Sequence, residues 1–373
     1  MYKCVLCGES LDQALDLNFQ RLKRITSDCR IWPEGGSVAF CTKCNLVQRP
    51  RTVKWLKECQ IIYSAYEAHH QGKKSEQRAF NEIGLGVGRS ERLLQHFFKY
   101  TQLNSDLKFK WLDFGCGEGH FLKELSAYTK FARIFGCDFG TKRMQKIEAI
   151  CGAGQYFDVQ YEISEKFDYV SLIHVLEHFL DPLSEFKKLS NMLNDDGILF
   201  VQVPNLQENP FDLLVADHGC FFTKETISFM LNEANFEVVH IAEDWINKEI
   251  SILAKKNSNK LIKYRKSIFQ DESLEILTGN YLYLDKIKRE ILERKKYGKI
   301  SIFGSSIGAT WAANEADLKF VDCFVDEDLN RVGFQHLGVP IKYPTEDNMR
   351  NVIFPVDKKT LMKLFAKYSN GAE

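Results

Sequence analysis

Two Cys-x-x-Cys pairs, Cys4/Cys7 and Cys41/Cys44, stand near the start of this 373-residue chain. Two residues between cysteines let both thiolates turn onto one ion from a single knuckle, and a second knuckle completes a tetrahedral four-sulfur site. Gly8 and Asn45 follow the pairs and tolerate the left-handed backbone that such turns need. Four sulfurs fill the coordination sphere of a zinc ion and leave no position for water or substrate. The chemistry expected is therefore structural: Cys4, Cys7, Cys41 and Cys44 hold one Zn2+ in a segment too small to build its own core. The chain has eleven cysteines, an odd number in a long sequence, which argues against a disulfide scaffold. Neither pair opens a helix after a strand, so a redox role is not expected.

A second constellation is Asp113-Phe114-Gly115-Cys116-Gly117-Glu118-Gly119-His120, at the end of the apolar run Lys110–Leu112. Gly115 and Gly117 permit backbone angles and ligand approach that a β-carbon blocks, and Gly119 lets a helix start from about Glu118 close to the sheet. A glycine-rich turn alone could bind a dinucleotide. Here the spacing is Gly-x-Gly-x-Gly, and Asp113 directly precedes it. A carboxylate at that place suits a cofactor with a positive amino-acid end, such as S-adenosylmethionine, better than a pyrophosphate. Asp113, Gly115, Cys116, Gly117 and Gly119 are thus the expected cofactor cradle. Asp138 closes the next strand, about 20 residues on, where an acid can accept both ribose hydroxyls. A later strand, Phe167–Ile173, runs into His174-Val175-Leu176-Glu177-His178, which places His174 at the cofactor cleft. His174 and His178, four apart, could also meet a metal if helical, whereas packing or hydrogen bonding is the plainer role for Glu177 and His178.

A third site follows the strand Gly197–Val203, in the loop Pro204–Phe222 that holds Asp217 and His218. Thr223 caps the next helix, with Glu225 in its first turn, so the loop lies over the carboxyl edge of the sheet. Histidine removes a proton near neutral pH, and an adjacent carboxylate can orient its ring.

The elements that must position these groups follow from the pattern of apolar runs. Residues 1–58 form the zinc module. Residues 75–256 alternate short apolar strands with helix-like stretches, as βαβ units on a parallel sheet do. Residues 258–298 are charged and helix-favouring and read as a connector. From 299 to 373 the alternation restarts at Ile300-Ser301-Ile302-Phe303-Gly304, a second and smaller α/β unit. The fold class is α/β, with a central Rossmann-like sheet between the zinc module and the C-terminal Rossmann-like unit.

Taken together, the Asp-x-Gly-Cys-Gly-x-Gly turn and the His-Val-Leu-Glu-His run resemble class I S-adenosylmethionine-dependent methyltransferases. In that superfamily an acid after the third strand contacts adenine, and Asp158 is the candidate here. The paired cysteines with Asn45-Leu46-Val47-Gln48, the acidic-His loop and the C-terminal restart resemble the sugar C-methyltransferases over nearly the full length. The resemblance implies methylation of a ring carbon of a nucleotide-linked keto sugar. By the same match His218 is the base, Asp217 its partner, and a tyrosine just after the zinc module, Tyr63 or Tyr66, supports the enolate oxygen. The family's C-terminal turn carries a lysine able to meet phosphate; this chain has none between Gly304 and Asp317. An O-methyltransferase or other small-molecule methyltransferase of the same fold, and a non-catalytic zinc-and-Rossmann binding protein, are the competing readings.

Fifty basic and fifty acidic residues cancel, which argues against a nucleic-acid partner or a membrane-surface protein. No apolar stretch approaches the ~20 residues that span a bilayer, and Met1-Tyr2-Lys3-Cys4 carries no signal region, so a soluble cytoplasmic protein is expected.

Overall fold

The computed structural model describes residues 2–11, 17–66, 76, 78–80, 86–104, 106–152, 154–160, 162–257 and 272–369. The expected boundary at residue 75 and the first part of the connector, 258–271, lie outside the described residues.

A seven-stranded sheet occupies the centre. Its strands in chain order are β1 (Lys110–Phe114), β2 (Arg133–Asp138), β3 (Tyr156–Asp158), β4 (Phe167–Ile173), β5 (Leu193–Pro204), β6 (Phe236–Ala242) and β7 (Glu249–Lys256). Their spatial order is β6-β7-β5-β4-β1-β2-β3, and only β7 runs against its neighbours. Four of the five β1 residues are buried, as expected for a parallel strand covered on both faces. The chain passes outward from β1 to β3 and then returns to β4 on the other side of β1. That reversal opens a crevice at the carboxyl ends of β1 and β4.

Local signals set the covering helices. His120–Tyr128 buries Phe121, Leu122 and Leu125 on one face, and it begins two residues later than the sequence suggests. Pro182–Met192 starts with proline in its first turn, after an Asp181 side chain that accepts from the Ser184 amide. Thr223 caps Lys224–Glu233 with a reciprocal bond to Thr226, as the sequence leads one to expect.

The N-terminal segment is built into the central unit. Its hairpin, Ala39–Phe40 against Val47–Gln48, takes Cys220–Phe221 as a third strand. Two strands of two residues cannot bury a face of their own, and the loop before Thr223 supplies what they lack. Val53–Ser64 forms a helix capped by Thr52.

Beyond the central sheet, Glu272–Arg294 is one long helix where the sequence allows one or two. Residues 300–353 form a five-stranded sheet in which Gln335–His336 is the antiparallel edge and the other four strands are parallel. Its helix Ile307–Ala316 meets the N-terminal ribbon, where Asn314 donates to the carbonyls of Arg24 (3.0 Å) and Trp32 (2.9 Å). Among the described residues no helix is long and apolar enough to cross a membrane.

Candidate active site

At the carboxyl end of β1 the backbone turns through Gly115, Gly117 and Gly119, all at positive φ. Their surroundings differ. A β-carbon on Gly115 would meet Val175 at 2.4 Å and one on Gly119 would meet Ile147 at 2.6 Å, so these two glycines serve close packing. Only Gly117 of the three faces open space, toward the cleft. Gly115, grouped with Gly117 in the sequence, also lines the cleft, with the Val175 side chain packed against its Cα. Cys116 is buried and its amide donates to the Cys137 carbonyl at 3.0 Å, which pins the turn to β2.

Asp113 is held from below. The Trp111 indole donates to Ser171 Oγ at 2.9 Å, and the Ser171 hydroxyl donates to Asp113 Oδ1 at 2.7 Å. Burial pushes the Asp113 carboxyl up to about 7, against the Ser171 bond, which lowers it, and with the charge of Asp138, which raises it further. Asp138, at the end of β2, accepts from the Gly117 amide at 2.7 Å, so the acid and the glycine turn brace each other at the cleft wall. Asp158 accepts from the Gln160 amide at 3.1 Å, and Val159, Gln160 and Glu162 form the wall beside it.

His174 ends the run from β4 at φ 56°, a left-handed angle uncommon for a residue with a side chain. Its Nδ1 lies 3.1 Å from Glu177 Oε1. Its Nε2 lies 3.1 Å from Glu249 Oε2, outside hydrogen-bond alignment. Burial first, then the positive charge of Arg89, holds its pKa well below the usual imidazole range, so the ring is neutral. Residues 176–178 form a single tight turn, which does not set His174 and His178 on one helical face. The imidazole beside His178 is instead that of His218, with ring centroids 4.6 Å apart at right angles.

His218 is buried in the loop between β5 and the Thr223 cap. Its Nδ1 lies 2.6 Å from Asp212 Oδ1, the orienting contact that sequence reading gave to Asp217. Asp212 sits in the tight turn Pro210–Leu214, which brings it back toward His218. The Asp217 carboxylate is turned toward Ser27 and accepts from its amide at 2.9 Å and its hydroxyl at 2.5 Å. Asp217 sits in a turn closed by the His218 amide on the Val215 carbonyl at 3.4 Å, and its carboxylate, bound to Ser27 and 3.5 Å from His178 Nδ1, is committed away from the His218 ring. Burial opposes charge on His218, but the Asp212 carboxylate outweighs it, with help from Glu177 and Asp217, and raises its pKa to about 9. His178 is shifted the other way, by burial and then by repulsion from His218.

The two tyrosines separate. Tyr63 places its hydroxyl 3.0 Å from His178 Nδ1, whereas Tyr66, three residues on, lines the cleft near Ser27. Burial pushes both phenols upward, so both are protonated donors at neutral pH. Sequence reasoning missed Asp212, Ser27 and Arg49. No periodic signal marks them, because the contacts join irregular loops. Glu177 is wholly buried, and among the described residues its Oε2 has no hydrogen-bond partner. With His178 and His218 it places three potential metal donors within 4.8 Å of one another.

One continuous cleft of about 2870 Å³ joins these groups. It runs from Gly117 and Asp138 past His178 and His218 to Phe303, Ser306, Arg331 and Lys359 of the C-terminal sheet unit. The four paired cysteines converge apart from the cleft lining, with Cys4–Cys44 sulfurs 3.5 Å and Cys7–Cys41 sulfurs 3.4 Å apart. All four donors lie within 4.8 Å of one another, close to the ~3.8 Å edge of a zinc–sulfur tetrahedron. Gln48 Nε2 (3.0 Å) and the Leu6 amide (3.4 Å) both donate to Cys4 Sγ, the kind of support that suits a thiolate. The residues present therefore fit the metal.

Comparison with known proteins bears on the central sheet. A family model described as a methyltransferase domain matches residues 82–241. The chain is 32% identical over 133 residues to a ubiquinone biosynthesis O-methyltransferase of Haemophilus ducreyi, which covers 32% of this chain and 56% of that protein. It is 27% identical over 122 residues to the protein of the same name from Neisseria meningitidis serogroup C, which covers 30% of this chain and 50% of that one. The chain thus spans about half the length of the curated relatives it matches. A solved S-adenosylmethionine-dependent methyltransferase from Clostridium acetobutylicum aligns with TM-score 0.38 and 14% identity, over 45% of this chain and 91% of that one. The matched residues carry strands β1 to β5, the glycine turn and Asp138, and the central unit is a methyltransferase domain.

Proposed function

We propose that the whole chain is a methyltransferase acting on a ring carbon of a nucleotide-linked keto sugar, with His218 as general base. The observation that carries the reading is the Asp212–His218 pair, buried in the same cleft as the glycine turn. Bound S-adenosylmethionine would supply an electrophilic methyl group. Gly117 leaves open space in the cleft wall, and Asp113 and Asp138, which line the same cleft, would hold the cofactor's ammonium and its ribose. Asp212 accepts the Nδ1 proton of His218 and fixes the tautomer in which Nε2 takes a proton from the acceptor. The imidazolium so formed is stabilised by the same carboxylate. Tyr63 and Tyr66 are donors for the oxygen that gains charge as the proton leaves.

The length of the cleft supports a long acceptor. Pockets for drug-sized ligands measure about 300–1,000 Å³, and this one reaches Arg331, paired with Asp326 and Asp328, and Lys359, paired with Glu208, which a phosphate-bearing group would have to draw from those carboxylates. The zinc reading is structural, with Cys4, Cys7, Cys41 and Cys44 as ligands.

A second reading, methyl transfer to oxygen, is favoured by the names of the two curated relatives. A hydroxyl also needs a base, so His218 keeps its role. The test is calorimetric titration with S-adenosylhomocysteine followed by nucleotide-linked keto sugars. Binding of both supports the sugar reading. Binding of the cofactor product alone retains the methyltransferase and directs the search to hydroxylated acceptors. A folded, metal-loaded protein that binds neither would sink both.

A further inference from the structure

The loop that presents His218 makes a few bonds of its own, among them the Val215 amide to the Asp212 carbonyl at 3.0 Å and the His218 amide to the Val215 carbonyl at 3.4 Å, and the N-terminal segment adds a second set. Arg49 is buried, and its Nε donates to the His218 carbonyl at 3.1 Å. Its Nη2 donates to the carbonyls of Leu213 at 2.8 Å and Val215 at 3.1 Å. The Arg49 amide donates to the Gly219 carbonyl at 2.9 Å, and Arg51 Nη1 donates to the same oxygen at 2.6 Å. The Trp55 indole takes the Ala216 carbonyl at 2.8 Å. Carbonyls on either side of the catalytic ring thus end on donors from Arg49–Trp55.

Arg49 follows directly on the strand Val47–Gln48, and the cysteine set fixes that strand. The Gln48 side chain donates to Cys4 Sγ, and its Oε1 accepts from the Val5 amide at 3.1 Å. Gln48 pairs with Cys220 and Val47 with Phe221 in the three-stranded sheet. Only a guanidinium spreads its donors widely enough to serve three carbonyls at once; an ammonium on a flexible stem does not.

We propose that Arg49 is a positioning residue through which the metal-bound knuckle sets His218 against Asp212, so that the zinc site controls turnover without touching substrate. The proposal rests on the reading of His218 as the catalytic base. A purely structural zinc would stabilise the whole chain evenly; here its loss acts first on residues 212–220.

The test uses the full chain, zinc-loaded and zinc-depleted by a chelator, beside Arg49→Lys and Arg49→Ala. Three readouts are hydrogen exchange of peptides spanning 212–220, calorimetric affinity for S-adenosylhomocysteine, and the NMR titration of His218. Arg49→Lys and zinc depletion should each raise exchange in 212–220 by about tenfold or more while 110–122 stays protected. Cofactor-product affinity should stay within about threefold. The His218 titration should fall from about 9 toward the ordinary imidazole value of 6.5 as its contact with Asp212 loosens. With an accepted substrate, kcat should drop by about 10²-fold with KM little changed, and methylguanidinium should partly restore Arg49→Ala. Should Arg49→Ala fail to fold, Arg49→Lys and the depleted protein carry the same comparison.

Unchanged exchange and an unchanged His218 titration overturn the proposal, as does exchange that rises equally in 110–122. Wild-type protein inactive toward every keto sugar defeats the proposed acceptor alone, because exchange and titration still decide the positioning.

Discussion

His218 and Asp212 carry a pH signature. The carboxylate raises the imidazole to about 9, so at neutral pH the base form is a minority. The kcat/KM value should therefore climb with pH through the neutral range and level off near 9. Asp212→Asn should move the rise to lower pH and reduce the plateau, and a profile unmoved by that change would remove Asp212 from the site. His218→Ala should lower kcat by about 10²–10⁴-fold with cofactor-product affinity nearly intact. The same shift bears on stability. A raised histidine stabilises the fold fully below its unfolded pKa of about 6.5, and that contribution is lost as pH rises through about 9. Asp113 behaves differently. Its carboxyl lies near 7 in the free protein, and a bound cation favours the charged form, so cofactor affinity should weaken as pH falls below about 7. In Asp113→Asn the pH dependence should flatten; an isotherm series that keeps its slope would contradict the ammonium contact.

Among the elements, the β1 turn separates packing from binding. Gly115→Ala should cost ~1–3 kcal/mol through the collision with Val175, and Val175→Ala should return part of it. Gly117→Ala meets no atom within 4 Å, so its cost in melting temperature should be the smaller, carried by its φ of 51°, and its effect should fall on cofactor affinity. Equal effects of the two substitutions on affinity would show that Gly115 also faces ligand. The strand-turn-helix at Asp113–His120, Asp138 at a strand end and the Thr223 cap were legible in the sequence because each is local: period, glycine spacing and capping chemistry lie within a few residues. Asp212 was not. It lies six residues from His218 across a tight turn, and the adjacent Asp217 was the more obvious partner. The chain turns at residues 216–217, so no strand alternation was there to assign the face of Asp217.

Across the whole molecule, the sequence suggested separate units laid end to end, and the structure interlocks the first with the second. Nothing local could show that Cys220–Phe221 would join a hairpin of residues 39–48. The interlock predicts that Trp55→Phe, which leaves the Ala216 carbonyl without its donor, costs ~1–3 kcal/mol and loosens the catalytic loop more than the sheet. Calorimetric melting and proteolysis of that loop would check it; cleavage no faster than in wild type would argue against the clamp.

The bond from Arg49 to the His218 carbonyl spans 169 residues. Contacts so far apart in sequence form late, after the entropy of closing a long loop has been met. On the ribosome, the cysteine knuckle and Arg49 emerge well before their partner loop exists, and a buried guanidinium must wait in water for its acceptors. Metal capture can order the knuckle early, whereas the catalytic loop closes only once β5 and the Cys220–Phe221 strand have followed. Activity should therefore appear as the last kinetic phase of refolding, later than the recovery of helix signal or cofactor binding.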